Sequence, residues 1–285
     1  MGSTQDLQIL PTGRALGAEV CGVDLTVPIP PRRGRMILDA YFEHQALFFR
    51  GQTLTDQQLL EFSRLFGEPM ADYRPKDYHS ELDTDVPHLV DVVSNVIIDG
   101  KPIGALGAGE VIWHSDTVPL PNSALVLHAL EVPEQGGINT RIASTQAAYD
   151  ALPDELRERV HNRILVHGRQ DYKLEDDGNP VIEDPSKSPG PWFPLVRTHG
   201  DTHRPGLFLG RQGNGYIIDL PVKESNALLE QIWTHVTRAE FVWEHEWQVG
   251  DVLVWDNRCT VHSRGRIGQG RRRLHRTTVS GEWPR

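Results

Sequence analysis

The second half of the chain is a succession of short apolar runs separated by turn residues, and this pattern limits the fold more than any other feature. VIWHSDT (111–117), SALVLHALE (123–131), DVLVWD (251–256) and RRLHRTTVSG (272–281) each predict a strand. AEFVWEHEWQ (239–248) alternates large apolar and charged side chains, which is typical of a strand with one buried face. Many short strands and few helices indicate a mainly β fold, with a closed β core and flanking helices packed outside it.

A single domain spanning residues 1–285 is expected, because no Pro/Ser-rich linker divides the chain. An amphipathic helix is predicted over 222–237. Two stretches, 70–110 and 169–191, are polar and weakly periodic, with one strand-like run at 89–98. Long irregular stretches inside a compact domain are more often functional than filler, so we expect lid-like loops there.

Composition narrows the classes of partner. Lys and Arg number 29 against 39 Asp and Glu, so the formal net charge is −10. This balance argues against binding to nucleic acid or to an anionic membrane surface, and no apolar run is long enough to cross a bilayer. The two cysteines cannot build a disulfide framework, which favours reduced thiols in a cytoplasmic protein. The sequence leaves a homo-oligomer open.

His114 and Asp116 stand two residues apart on a predicted strand, so both side chains point to one face. His262, at the end of a later strand, is the best candidate for a third ligand. Two histidines and one carboxylate form the facial triad of non-haem Fe(II) oxygenases, which leaves positions open for a co-substrate and O2. The His-x-Asp/Glu pattern recurs at 79–81 and 199–201, where a hydrogen-bonded or exposed histidine is the usual explanation.

Arginines are concentrated on the last predicted strand. Arg272, Leu274 and Arg276 share one face of this strand, whereas Arg271 and Arg273 share the other. Leu274 favours the first set as the buried one, although parity alone leaves the choice open. Two inward arginines could hold two carboxylates, because a planar guanidinium binds a carboxylate bidentately. The alternative is a solvated, charged strand.

Four motifs, in this order, resemble the taurine dioxygenase (TauD/TfdA-like) family of Fe(II)- and 2-oxoglutarate-dependent oxygenases. They are WHSD (113–116), EQGGINT (134–140), VLVWDNRCTVH (252–262) and RRRLHRTT (271–278). The resemblance implies a double-stranded β-helix, the jelly-roll or cupin-like fold. It also implies an oxidoreductase that couples oxidation of a C–H bond by O2, most often hydroxylation, to decarboxylation of 2-oxoglutarate into succinate and CO2.

The same resemblance implies roles for individual residues. Iron would be held by His114, Asp116 and His262. The far carboxylate of 2-oxoglutarate would be bound by Arg272, with help from the hydroxyl of Thr140. Asp116 also argues against halogenation, because halogenases that resemble this family carry a small residue in place of the carboxylate.

The primary substrate is expected to be a small anion, either a carboxylate, a sulfonate or a phosphonate. Arg276 matches the position that binds the anionic group of the substrate in several members, and Tyr73 is expected to approach the substrate. The neighbouring Asp72 would repel a sulfonate, which argues against taurine itself. Two alternatives remain: the same cofactors used for desaturation, epoxidation or rearrangement in natural-product biosynthesis, and a catalytically silent jelly-roll binding protein.

Overall fold

The computed structural model describes residues 6–71, 83–117, 121–133, 139–168, 184–187 and 190–284. Strands dominate these residues, which confirms the mainly β fold class. The helices found there are α1 (Pro31–His44), α2 (Asp56–Ser63), α3 (Thr145–Asp150), α4 (Asp154–Val160) and α5 (Val222–Val236), with short 3₁₀ helices at Arg64–Phe66, Pro185–Lys187 and Ala239–Phe241. The strands are β1 (Gln8–Pro11), β2 (Ala18–Cys21), β3 (Ala46–Phe49), β4 (Pro69–Met70), β5 (Asp91–Ser94), β6 (Ile97–Ile98), β7 (Lys101–Pro102), β8 (Ala105–Leu106), β9 (Val111–His114), β10 (Asn122–Glu131), β11 (Thr140–Ser144), β12 (Ile164–His167), β13 (Trp192–Pro194), β14 (Val196–Thr198), β15 (Pro205–Leu207), β16 (Gly215–Ile217), β17 (Val242–His245), β18 (Val252–Asp256), β19 (Thr260–Arg264) and β20 (Arg273–Ser280).

The largest sheet has the strand order β1-β2-β3-β18-β10-β20-β5-β8, and β4 also pairs with β20. β20 runs antiparallel to both β10 and β5, with Arg276 opposite Leu127 on β10 and opposite Asp91 on β5. β5 lies inside the stretch 70–110 that the sequence marks as irregular, at the strand-like run. Residues 91–94 of that stretch therefore belong to the main sheet, and only the residues around them remain candidates for a lid.

A second sheet has the strand order β17-β11-β19-β9. His262 on β19 stands opposite Ile142 on β11 and opposite His114 on β9. Thr140, at the start of β11, stands opposite Arg264 on β19. Because directly opposed residues project to the same side of a sheet, these side chains share one face.

The two sheets bury a common hydrophobic cluster. Leu125, Leu253 and Leu274 come from the large sheet, and they pack with Ile142 and Trp243 from the second sheet. Side chains alternate along a strand, so residues that share this face point into the space between the sheets. The inner faces of β20, β11, β19 and β9 therefore surround one space.

The helices cover the outer faces of the two sheets. α1 and α2 pack on the large sheet around Val254, and α5 packs on the second sheet around Val261. α2 begins with the capping box that its sequence predicts, since Thr55 Oγ1 accepts from the Gln58 amide at 3.2 Å and Gln58 Oε1 accepts from the Thr55 amide at 2.9 Å. Among the described residues, no helix has the length and apolar character needed to cross a membrane.

Candidate metal and co-substrate site

The structure brings the three predicted metal ligands together. His114 ends β9, Asp116 follows it by two residues, and His262 lies opposite His114 on β19. One donor atom from each side chain lies within 4.8 Å of the others. His114 Nε2 is 3.7 Å from Asp116 Oδ1, and the two imidazole centroids are 4.1 Å apart. The donor set is that of a facial triad, so the three residues fit an Fe(II) ion with open positions.

Both imidazoles are prepared to act as neutral ligands. His114 Nδ1 donates to the Ile112 carbonyl at 2.8 Å, which leaves Nε2 free for a metal. Burial lowers the pKa of His114, although Asp116 acts in the opposite direction. Burial and the neighbouring His114 together lower the pKa of His262. A metal therefore does not have to displace a proton from either ring at neutral pH.

Asn257 fixes the main chain that carries the carboxylate ligand. Its Oδ1 accepts from the Asp116 amide at 3.0 Å, and its Nδ2 donates to the Asp116 carbonyl at 2.7 Å. The sequence motif WDNR supplies this residue from the turn after β18. Because both polar groups of the Asp116 backbone are held, the side chain leaves the main chain at a defined point.

The competing His-x-Asp pattern at 199–201 has a structural role. His199 Nε2 lies 2.9 Å from Asp256 Oδ2, and His199 Nδ1 accepts the Asp201 amide at 3.1 Å. His199, Asp256 and Cys259 are close enough to hold a metal ion, but Arg258 already donates to both carboxylate oxygens of Asp256. The Arg258 guanidinium therefore occupies the position beside Asp256 that a metal ion would need. The pattern at 79–81 lies outside the described residues.

Arg272 and Thr140, the residues that the resemblance implies for 2-oxoglutarate, form a second part of the same space. The Arg272 side chain is almost fully buried, and its Nε and Nη1 atoms have no hydrogen-bond partner within the described residues. Its guanidinium lies 5.8 Å from the ring centre of Trp247, whose Nε1 donates to Thr140 Oγ1 at 3.0 Å. Unpaired buried donors of this kind are costly unless a ligand accepts from them. The pair therefore fits a carboxylate.

Arg264 is a buried cation of this region that the sequence reasoning missed. It lies two residues beyond His262 on β19, so the strand period alone would place both side chains on one face. The Arg264 guanidinium donates to the carbonyls of Leu106 at 3.1 Å and of Gly109 at 2.6 Å. Burial lowers the pKa of Arg264 to about 10. Burial and Arg264 together lower the pKa of Arg272 to about 9, so the two cations share one electrostatic environment.

The two residues expected to contact the substrate have different outcomes. Arg276 is buried beside the metal ligands, with Nη1 3.6 Å from Asp116 Oδ2. Its Nη2 donates to Asp91 Oδ2 at 2.8 Å, an acidic partner on β5 that the sequence reasoning also missed. Tyr73 lies outside the described residues. The structure therefore places Arg276 at the site, where its guanidinium is already paired with the Asp91 carboxylate.

Comparison with known protein families decides the class of this site. The model of the family "Taurine catabolism dioxygenase TauD, TfdA family" matches residues 8–278. The chain belongs to this family. Its members are 2-oxoglutarate-dependent dioxygenases, so the protein is an oxidoreductase that uses Fe(II), 2-oxoglutarate and O2. The family predicted from four sequence motifs is therefore confirmed.

Individual relatives match along nearly their whole length. The alpha-ketoglutarate-dependent 2,4-dichlorophenoxyacetate dioxygenase of Cupriavidus pinatubonensis is 34% identical over 279 residues, which cover 92% of this chain and 93% of the relative. The alpha-ketoglutarate-dependent sulfate ester dioxygenase of Pseudomonas putida is 32% identical over 294 residues, which cover 98% and 91%. The crystal structure of AAD-2 in complex with Mn(II) and N-oxalylglycine superposes with a TM-score of 0.77 at 28% identity, and the match covers 98% of this chain and 99% of that one.

Proposed function

We propose that the protein oxidises a C–H bond of a small anionic molecule, with hydroxylation as the outcome, and couples this step to decarboxylation of 2-oxoglutarate into succinate and CO2. One observation carries the proposal. A His-Asp-His donor set and a buried arginine, whose Nε and Nη1 have no partner within the described residues, face the same space between two sheets. A metal site alone would support many chemistries, but a buried guanidinium in the same space supports a co-substrate with a free carboxylate.

His114, Asp116 and His262 would hold the ion on one face, and Asn257 would keep the Asp116 main chain in position. When bound, Fe(II) and 2-oxoglutarate supply the oxidising power for the C–H bond, which no side chain of the protein could provide. The contribution of the chain is orientation, exclusion of water and fixed charge.

Arg272 and Thr140 would bind the far carboxylate of 2-oxoglutarate. Trp247 supports this role twice, since its ring lies below the guanidinium and its indole nitrogen donates to the Thr140 hydroxyl. With its acceptor position used by the indole, the Thr140 hydroxyl can direct its own proton at a carboxylate oxygen. N-oxalylglycine, bound in the AAD-2 structure, likewise carries carboxylates at both ends.

The primary substrate would lie on the Arg276 side of the ion, with Tyr73 as a further contact. Two relatives with different names support an anionic substrate, since one acts on a carboxylate, 2,4-dichlorophenoxyacetate, and the other on sulfate esters. The stretch 70–110, apart from its strands, and the stretch 169–191 would form the lid that excludes water and selects the substrate. Residues 72–82, 169–183 and 188–189 of these stretches lie outside the described residues.

At the level of the whole molecule, the two facing sheets support a jelly-roll, or double-stranded β-helix, within a single domain of residues 1–285. Two free thiols support a cytoplasmic location. The net charge of −10 supports small anions held by local arginines, rather than nucleic acid or a membrane, as partners. Assembly into a homo-oligomer is compatible with this organisation.

The first experiment is an anaerobic titration with Fe(II) and 2-oxoglutarate, followed by absorption spectroscopy. Wild-type protein should develop a metal-to-ligand charge-transfer band, and His114→Ala should show neither the band nor metal binding by calorimetry, because one of three ligands is lost. His161→Ala, which changes an exposed histidine, is the matched control and should behave as wild type.

A screen of carboxylates, sulfonates, phosphonates and sulfate esters in air should then identify substrates by the succinate they release. A product heavier by one oxygen atom supports hydroxylation, and one lighter by two hydrogen atoms supports desaturation. Wild-type protein that binds neither metal nor 2-oxoglutarate would support the silent binding protein and contradict the proposed function.

A further inference from the structure

Arg211 has a place in the site that the described motifs do not predict. It forms an antiparallel bridge with His114, outside the named strands. The Ser115 amide donates to the Gly210 carbonyl at 2.9 Å, and the Gln212 amide donates to the Trp113 carbonyl at 2.9 Å. These two hydrogen bonds flank the bridge, which makes Arg211 and His114 a non-hydrogen-bonded pair with Cα atoms about 4.5 Å apart and side chains on the same face.

The backbone beneath Arg211 is firmly held. A Cβ atom on Gly210 would lie 2.8 Å from Cγ of His167, so the main chain at this position packs directly on the imidazole. His167 is fully buried, and its Nδ1 lies 2.9 Å from the hydroxyl of Thr117, the residue after Asp116. The segment that carries Arg211 is therefore fixed to the segment that carries the metal ligands, which is the support that a binding side chain requires.

Electrostatics agrees with this placement. Arg211 lowers the pKa of both His114 and His262, and Asp116 partly opposes the effect of burial on Arg211 itself. Arg211 is half-buried, and the acidic group that acts on it is Asp116, one of the predicted metal ligands. The positive charge is thus near the metal ligands and partly removed from water, and its acidic neighbour would be bound to the ion.

Two of the other arginines of the site have an anion that would balance their charge, whereas the third, Arg264, donates to main-chain carbonyls. Arg276 donates to Asp91, so its charge is offset before any ligand arrives. Arg272 faces Thr140 and Trp247, where the far carboxylate of 2-oxoglutarate would offset it. Of Arg211, Arg272 and Arg276, Arg211 keeps its positive charge available once both cofactors are in place, because Asp116 would then be bound to the ion. Such a charge favours an anion beside the ion.

We propose that Arg211 binds the anionic group of the primary substrate. Arg211, rather than Arg276, supplies most of the selectivity for an anionic over a neutral substrate. This inference rests on the proposed function and assigns the substrate contact to a particular side chain. An aryloxy carboxylate or an alkyl sulfate has the required chemistry, because either offers two or more oxygens to a planar guanidinium.

Binding to the full-length protein loaded with Mn(II) and 2-oxoglutarate tests the inference without turnover. The probes are phenoxyacetate and hexyl sulfate, with phenoxyacetamide as a neutral match to the first, and the measurement is the dissociation constant from calorimetry. Arg211→Met should weaken both anions roughly ten- to hundredfold, as expected for loss of a charge-assisted hydrogen bond. Arg211→Lys should restore part of the loss, and phenoxyacetamide should bind wild type and Arg211→Met alike.

Arg141→Met is the matched control. Arg141 lies next to Thr140 on β11, but its guanidinium stacks over Trp113 at 5.2 Å, on the outer side of the second sheet. It should leave the affinity for both anions unchanged. Equal anion affinity in wild type and Arg211→Met would overturn the inference, as would loss of 2-oxoglutarate affinity in that variant, which would assign Arg211 to the co-substrate.

Failure of the inference is distinct from failure of the proposed function. If wild-type protein binds Mn(II) and 2-oxoglutarate but neither anion, an anion-selective Arg211 is wrong and the dioxygenase assignment stands. If wild-type protein binds neither Mn(II) nor 2-oxoglutarate, the proposed function fails before Arg211 is tested, and the inference falls with it.

Discussion

The two faces of β20 carry similar cations in opposite circumstances. On the outer face, His275 contacts Asp56 at 2.6 Å and Asp83 at 3.0 Å, and Arg273 forms ion pairs with Asp83 and Glu131. On the inner face, Arg272, which immediately precedes β20 and continues its alternation, is almost fully buried, with two donor atoms that lack a partner within the described residues. This strand and the residue before it thus place paired cations on one side and, as far as the structure describes the chain, an unpaired cation on the other.

This difference distinguishes charged side chains that stabilise the fold from charged side chains that are available to a ligand. A buried cation that is fully paired stabilises its surroundings, whereas one left unpaired lowers stability unless a ligand completes it. Arg276 is intermediate, because it lies on the inner face and still donates to Asp91. The pairing of each side chain, more than its burial, indicates its role, and variants of Arg276, Arg272 and His275 test that statement.

The largest expected effect is on the stability of the ligand-free protein. Arg276→Gln should lower the free energy of unfolding by about 3–5 kcal/mol, because Asp91 loses its buried arginine. Arg272→Gln should cost much less or stabilise, since it removes a buried charge that has no acidic partner in the described residues. Urea unfolding of the apoprotein measures both. Equal losses in the two variants would show that pairing does not distinguish these arginines.

The next effect is on 2-oxoglutarate. Arg272→Gln should weaken its binding to the Mn(II)-loaded protein by about 1.5–3 kcal/mol, because a charge-assisted contact with the far carboxylate is lost. Arg273→Gln, which changes the adjacent outward arginine, is the control and should bind 2-oxoglutarate like wild type. Calorimetry gives both affinities. If Arg272→Gln keeps normal affinity, the inner face of β20 does not bind the co-substrate.

The last expected effect is a dependence of stability on pH, which arises from the outer face. Burial by itself would lower the pKa of His275, but hydrogen bonds to Asp56 and Asp83 raise it from 6.5 to about 9. A raised folded-state pKa stabilises the protein fully below pH 6.5, and this contribution is lost as the pH rises through about 9. A shift of this size corresponds to at most about 3 kcal/mol.

His275→Gln should therefore flatten the fall in unfolding free energy between pH 6.5 and 9, measured by urea unfolding across that range. His161→Gln, at an exposed histidine, should keep the wild-type slope. A His275→Gln slope equal to that of wild type would mean that the outer pairs do not hold a charged imidazole.

Local pattern was enough to predict most of the strands and one face of the site. Leu274 correctly indicated the inward parity of β20, because an apolar residue between two arginines fixes which side meets the core. The family motifs placed His114 and His262 on strands that the structure pairs directly. Both predictions depend on short-range alternation or on fixed motif order, which a sequence carries explicitly.

The remaining contacts depend on which strands become neighbours. Asp91 meets Arg276 only because β5 pairs with β20, and the strand-like run around Asp91 does not show which strand it will join. Arg264 binds carbonyls of a loop more than 150 residues earlier in the chain. Arg211 reaches the site through an isolated bridge, which has no periodic pattern to reveal it. Register between distant segments, rather than residue type, was the missing information.

The hydrogen bonds of Asn257 to the Asp116 peptide have a consequence for how this scaffold can change over evolution. Asn257 holds the amide and the carbonyl of residue 116 and leaves its carboxylate untouched. The path of the polypeptide is therefore independent of the side chain displayed there. A lineage could replace the carboxylate by a shorter group and inherit an ion with one more vacant position, without first having to rebuild the turn that supports it.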